Sequence, residues 1–366
     1  MRTRTLVVFL VIIACVVAVI LAVAYFLPIS LFGSAPVAYP AELQVYTGLA
    51  SSSPLFLQGV NASNSDNWAQ AVSDFEQVLA VTTDPGQKLK VEFWLAPALQ
   101  QAGDGPQAVS IYQAIAADDA QSDPRVRASA VQELGVMYYR SLDPQITQAI
   151  FSVAPYANLY VVGNIGLSYR NLFAYATSIY PVATAELRTA QWYANQLLNQ
   201  SSVDSTTTAQ YKQIIRLDIA AADPDLAYMA ADPTQINDYL NTLIIRANLV
   251  AKMTQLGDTS YGDPESGFKQ VLALYAASDI SARDGVARVY YAGYLAQTFG
   301  TARSSDINTI LAPVTATTTP AAVSRFLTVN EQNAGGLKAT IVSIASIDSA
   351  FKKVLVSLGW TAADFK

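Results

Sequence analysis

No histidine occurs anywhere in this chain, and that absence narrows its chemistry before any motif is sought. Histidine metal sites, serine–histidine–aspartate triads and cysteine–histidine pairs are excluded together. The single cysteine, Cys15, lies inside an apolar run, so the exported part has no thiol with which to form a disulfide. What remains is carboxylate chemistry. Acidic residues stand in suggestive company at Asp118-Asp119 and at Glu265-Ser266-Gly267. The first reads as a solvated helix end and not as a metal site. Glu265 follows the Asp263-Pro264 pair, where a first-turn carboxylate complements the helix dipole without reacting. No glycine-rich phosphate loop is present. We therefore expect no catalysis, no cofactor, no metal and no nucleotide.

Glu265-Ser266 resembles the catalytic Glu-Ser of lytic transglycosylases, a family that pairs helical solenoids with a wall-cleaving domain. The downstream motifs of that family are not visible, so a cell-wall lytic enzyme is the least favoured alternative.

The elements that would position any site begin with an anchor. Residues 6–27 carry no charge, no Gly and no Pro. At 1.5 Å per residue they reach roughly 33 Å, enough for a hydrocarbon core of about 30 Å. Arg2 and Arg4 flank this run on its N-terminal side, and the next basic residue is Lys88. The asymmetry predicts a single-pass membrane protein with residues 1–5 cytoplasmic and the rest extracytoplasmic. Two alternatives stay open. A cleaved signal peptide has a shorter apolar core than this one. Ile12-Ile13-Ala14-Cys15 resembles the lipobox of bacterial lipoproteins, although the residues after Cys15 remain apolar.

Two of the 22 basic residues precede the apolar run, which leaves 20 against 28 acidic residues, a net of −8. Such a domain repels phosphate backbones, and nucleic acid is not an expected partner.

Residues 28–66 read as a juxtamembrane spacer rich in proline and small polar residues. A helical domain is expected over 67–313, followed by a Thr-rich linker at 314–320 and a C-terminal helical piece at 321–366. Helices are expected there near 321–333 and 337–358. The helical reading rests on six Asp-Pro pairs, beginning at Asp84, Asp123, Asp143, Asp223, Asp232 and Asp263. Aspartate caps a first-turn N–H, and proline tolerates the next position because its missing donor has no partner there. Residues 159–162 carry a weak strand signal inside an apolar stretch expected to continue as helix through Phe173.

Within 67–140 the pattern becomes repeat-like. Ala71 and Phe75 match Ala108 and Tyr112, while Leu95-Ala96, Leu99 and Gly103 match Leu134-Gly135 and Tyr138. This resembles the tetratricopeptide repeat, with its Leu-Gly/Ala and aromatic in one helix and Ala and an aromatic in the next. Pro97 departs from the pattern and should kink its helix at about 3 kcal/mol.

The resemblance implies an all-α, irregular solenoid of antiparallel helix pairs that binds proteins or peptides along a concave face. Matched position by position, that face holds Lys90, Phe93, Gln100, Gln101, Ser129, Gln132, Tyr139 and Arg140. The expected function is an anchored extracytoplasmic scaffold for protein partners, such as envelope components. The alternative is a cell-surface binding protein for a small molecule or glycan in a Tyr-lined pocket, since the chain holds 20 tyrosines. The pairs Tyr138-Tyr139 and Tyr290-Tyr291 read chiefly as core with hydroxyls reaching the rim.

Overall fold

The computed structural model describes residues 53–365 except 65–66, 120–122, 142, 200–202, 232–235, 279–283, 316–340, 343–344 and 346–348. The expected anchor, Cys15 and most of the expected spacer lie outside the described residues, as do the Thr-rich linker after Thr315 and the expected helix near 321–333. All described residues belong to the unit Gln44–Lys366. Among them there is no strand, and no helix is long and apolar enough to cross a membrane. The architecture is all-α.

Fourteen described helices follow one another: α1 (Pro54–Asn64), α2 (Trp68–Val81), α3 (Pro85–Ala102), α4 (Gly105–Ala117), α5 (Pro124–Ser141), α6 (Pro144–Phe151), α7 (Ile165–Ile179) and α8 (Ala183–Asn199). Then come α9 (Ser205–Ala231), α10 (Ile236–Gln255), α11 (Pro264–Ala276), α12 (Gly285–Phe299), α13 (Ser304–Thr315) and α14 (Ser349–Ser357). Short 3-10 turns cover Tyr156–Leu159 and Gly300–Arg303. Helices pack on their neighbours in the chain or on the helix after next: α5 on α7, α4 on α6, α8 on α10 and α12 on α14, beside the sequential pairs.

Side-chain caps start most of these helices. Asp84 accepts from the Gln87 amide at 2.8 Å, Asp123 from Arg125 at 2.8 Å and Asp143 from Gln145 at 2.7 Å. Asp263 takes two amides, Glu265 at 3.1 Å and Ser266 at 3.0 Å. Asp104, Asn164 and Asp204 cap in the same way without a proline directly after them. Asp223-Pro224 corrects the reading of these pairs as helix starts, because it lies inside α9. Ile215, Ile219, Ala222, Leu226 and Met229 are buried at alternating steps of four and three, so one apolar stripe runs straight past the proline. Packing that stripe outweighs one lost backbone bond. The same holds at Pro97, which stays within α3 between buried Leu95 and Leu99. Asp232-Pro233 lies outside the described residues.

The helical domain starts earlier than residue 67. Helix α1 falls within the stretch read as spacer, and its Phe56 packs against Phe75 at 5.6 Å and Trp94 at 6.2 Å. Of the repeat-like positions, Ala71, Phe75, Leu95, Ala96, Leu99, Ala108, Tyr112, Leu134 and Tyr138 are buried, whereas Gly103 is exposed and ends α3 in a left-handed cap. Gly135 is small because Phe173 of α7 lies over it, and a Cβ would sit 3.0 Å from that ring. Residues 160–164 are neither strand nor helix but a loop leading into α7.

Candidate functional site

The eight residues of the expected concave face do not form one surface of equal character. Phe93 of α3 is half-buried and packs edge-on against Tyr112 of α4 at 5.8 Å, which makes it a packing residue. Lys90, Gln100, Gln101 and Ser129 are half-buried. Gln132, also half-buried, donates to Glu133 at 3.1 Å. The side chain of Arg140 is outside the described residues. Helices α3 and α5 meet chiefly through α4. Among the seven whose side chains are described, only Tyr139 stands well out, 48% exposed, and it leans on Tyr169 of α7 at 5.1 Å.

Tyr139 borders a surface that the sequence reading missed. Among the described residues, five of the ten large apolar side chains left exposed fall between 139 and 165: Tyr139, Val153, Tyr160, Val162 and Ile165. Val162 is 85% exposed. This loop is pinned in place. The Ser168 hydroxyl accepts from the Val161 amide at 2.8 Å, and the Asn171 amide donates to the Leu159 carbonyl at 3.0 Å. Gln113 of α4 donates to the Ala149 and Ile150 carbonyls at the end of α6, at 3.2 and 3.1 Å. Tyr160 rests on Phe151 at 4.8 Å, and Phe151 in turn meets Tyr138 at 5.0 Å. The legible signal was charge: no acidic or basic residue occurs from 144 to 169.

A second cluster is buried where α7, α8 and α9 meet. Glu186 is 8% exposed and Thr189, one turn along the same face of α8, is 7% exposed. Asp218 of α9, half-buried, lies near enough for its charge to act on Glu186. From α7, Arg170 donates to the Tyr193 hydroxyl and to Asn171, both at 2.9 Å, with its guanidinium over Trp192 at 5.2 Å. The Thr189 hydroxyl, Oδ2 of Asp218 and Nε of Arg170 are sealed from solvent with no hydrogen-bond partner. Burial first, and the Asp218 carboxylate second, push Glu186 up to about 8. Burial raises Asp218 to about 7, with Arg170 opposing. Both carboxylates sit on the apolar phase of their helices. Glu186 is three residues after Ala183 and four before Ala190, and Asp218 stands in the same relation to Ile215 and Ala222. An acid in a core-phase position is a signal that sequence reading can find.

Asp225 is buried as well but fully engaged. It accepts from Arg125 at 2.7 Å and from the Ala183 amide at 2.9 Å, so a side chain of α9 caps α8 and holds α5. Arg125 also lies over the Tyr228 ring at 4.7 Å.

Glu265 is tied on every side. It accepts from Lys269 at 2.8 Å, the Tyr291 hydroxyl at 3.0 Å and Arg303 at 3.2 and 3.3 Å. Arg303, itself also bound to Asp306, together with Lys269 holds the carboxylate down at about 2. Between α9, α10 and α11 lies an open depression of about 310 Å³, whose lining includes Leu226, Tyr239, Leu243 and an Arg246–Asp223 pair at 3.0 Å. It offers a single tyrosine and touches neither Glu186 nor Glu265. Among the described residues, no group of three or more acidic or cysteine side chains is arranged to hold a metal.

Comparison with protein-family models, curated proteins and solved structures finds no match. The tetratricopeptide resemblance therefore rests on the residues alone.

Proposed function

We infer that this chain is a scaffold that binds protein partners through an exposed apolar surface on a helical array. Residues 6–27 hold it at a membrane, with the array outside the cytoplasm. The reading is carried by one observation: an uncharged segment exposes Val153, Tyr160, Val162 and Ile165 while Ser168 and Asn171 fix its backbone at Val161 and Leu159. Polar side chains spent on displaying apolar ones make sense where a partner covers them, since buried aromatic and aliphatic anchors dominate protein interfaces. Exposed Tyr139 closes the tetratricopeptide-like segment just before this one in the chain, and packing limited to adjacent and next-but-one helices supports an array.

A photo-crosslinking residue at Val162, compared with one at exposed Leu217 on α9, tests this in the native membrane. Protein adducts are expected from 162 only and are lost when Tyr160→Asp is added. Equal adducts from both positions, or adducts indifferent to Tyr160→Asp, would overturn the reading. Lipid adducts from 162 would replace it with a membrane-contact surface.

A further inference from the structure

Glu186, Asp218, Thr189 and Arg170 form a cluster that no binding role accounts for. Three of its polar atoms are sealed without a partner, in a fold that satisfies the buried Asp225 twice over. Glu186 and Thr189 are each more than nine-tenths buried, whereas Asp218 and Arg170 are half-buried, so a proton has a route to the pair from the Asp218 side while the helices stay packed.

We propose that the α7–α8–α9 junction is a proton-operated joint, closed while Glu186 and Asp218 are neutral and loosened when both ionise. The groups that face the pair support one sign of response. From α9 the charge felt by Glu186 is that of Asp218, and the charge felt by Asp218 is that of Arg170 from α7. On α8 itself, Tyr193 occupies Arg170, and Arg188 bonds Gln191. The contact from α10 is a neutral Thr184–Thr242 hydrogen bond, and Arg246 of that helix is turned to Asp223. Asp225, which caps α8 at Ala183 one turn before Glu186, is already held by Arg125. One arginine therefore stands against two carboxylates. Once both ionise, a second negative charge lies in the interior with neither a cation nor a hydrogen bond to offset it. Water must enter, and the helices separate to admit it.

The joint meets the exposed loop only through the Arg170–Asn171 hydrogen bond, and exchange in α8 and α9 is read independently of adducts at 162, so its failure and the failure of the binding reading are separable. Hydrogen–deuterium exchange on the full chain in neutral detergent tests it, at about pH 6 and about pH 9, with times scaled to the intrinsic rate. Peptides of α8 and α9 are expected to exchange about tenfold faster, or more, at the higher pH, while α2 and α3 stay unchanged. In the double variant Glu186→Gln, Asp218→Asn the acceleration disappears. Wild-type protection in α8 and α9 that does not change with pH overturns the proposal, as does an acceleration that survives in the double variant. Should that variant misfold, infrared spectroscopy of the wild type decides: a protonated-carboxyl band present at about pH 6 and lost by about pH 9 is expected. Its absence at the lower pH overturns the proposal.

Discussion

Glu186 and Glu265 occupy the same local position, the first turn of a helix, where the dipole favours a carboxylate. One is pushed up to about 8 and the other held at about 2. The dipole is worth under about 1 kcal/mol at an exposed helix end, too little to decide either case. Tertiary neighbours decide it. Glu186 lies over buried helix faces with another acid opposite, whereas Glu265 meets two cations and a tyrosine hydroxyl. Asp225 completes the comparison: it is as buried as Glu186, yet a guanidinium and a backbone amide engage it. The two buried carboxylates differ in their partners, which Asp225 has and Glu186 lacks.

The largest expected effect breaks the engaged case. Arg125→Ala strands Asp225 inside the fold and removes the contact with Tyr228, costing about 3–5 kcal/mol in urea unfolding. A loss below about 1 kcal/mol would mean that water replaces the arginine and that engaged and unengaged carboxylates differ less than the geometry implies.

The next effect has the opposite sign. A carboxyl raised on folding binds its proton more tightly in the native state, so stability falls as pH rises from the unfolded value to the folded one. For Glu186 that window runs from 4.5 to about 8, and for Asp218 from 3.8 to about 7. Glu186→Gln, Asp218→Asn should therefore gain about 2 kcal/mol at pH near 8.5 and little near pH 4. Denaturant titrations of both proteins across this range read the difference directly.

Glu265 gives the mirror image at smaller size. Its lowered value stabilises the fold above about 4.5, and that contribution is lost as pH falls towards about 2. Glu265→Gln should cost about 1 kcal/mol at neutral pH, since solvent screens part of the network, and almost nothing near pH 2. A thermal melt at both pH values checks it. The smallest effect belongs to the exposed surface. Val162→Asp should change stability by less than about 0.5 kcal/mol while abolishing partner adducts from neighbouring positions.

Much of the helical framework was legible in the chain. Asp-Pro pairs at 84, 123, 143 and 263 start helices because an N-cap needs only its own next turn. The same signal misled at Asp223, where a stripe from Ile215 to Met229 packs across the proline and recruits Asp225 to distant Arg125 and Ala183. Tyr138 and Tyr139 show the limit at single-residue scale. Adjacent and identical, one is core and the other is 48% exposed, because consecutive helical positions point about 100° apart.

The sequence by itself determined the all-α character, most helix starts, the acidic balance and the lack of histidine chemistry. Those properties depend on residue type and on neighbours within a turn. Only the tertiary structure decided which carboxylates are engaged, which apolar side chains remain in solvent and which prolines interrupt nothing. Each of these depends on what a residue meets across tens to a hundred positions of chain, and side-chain chemistry is set by that encounter.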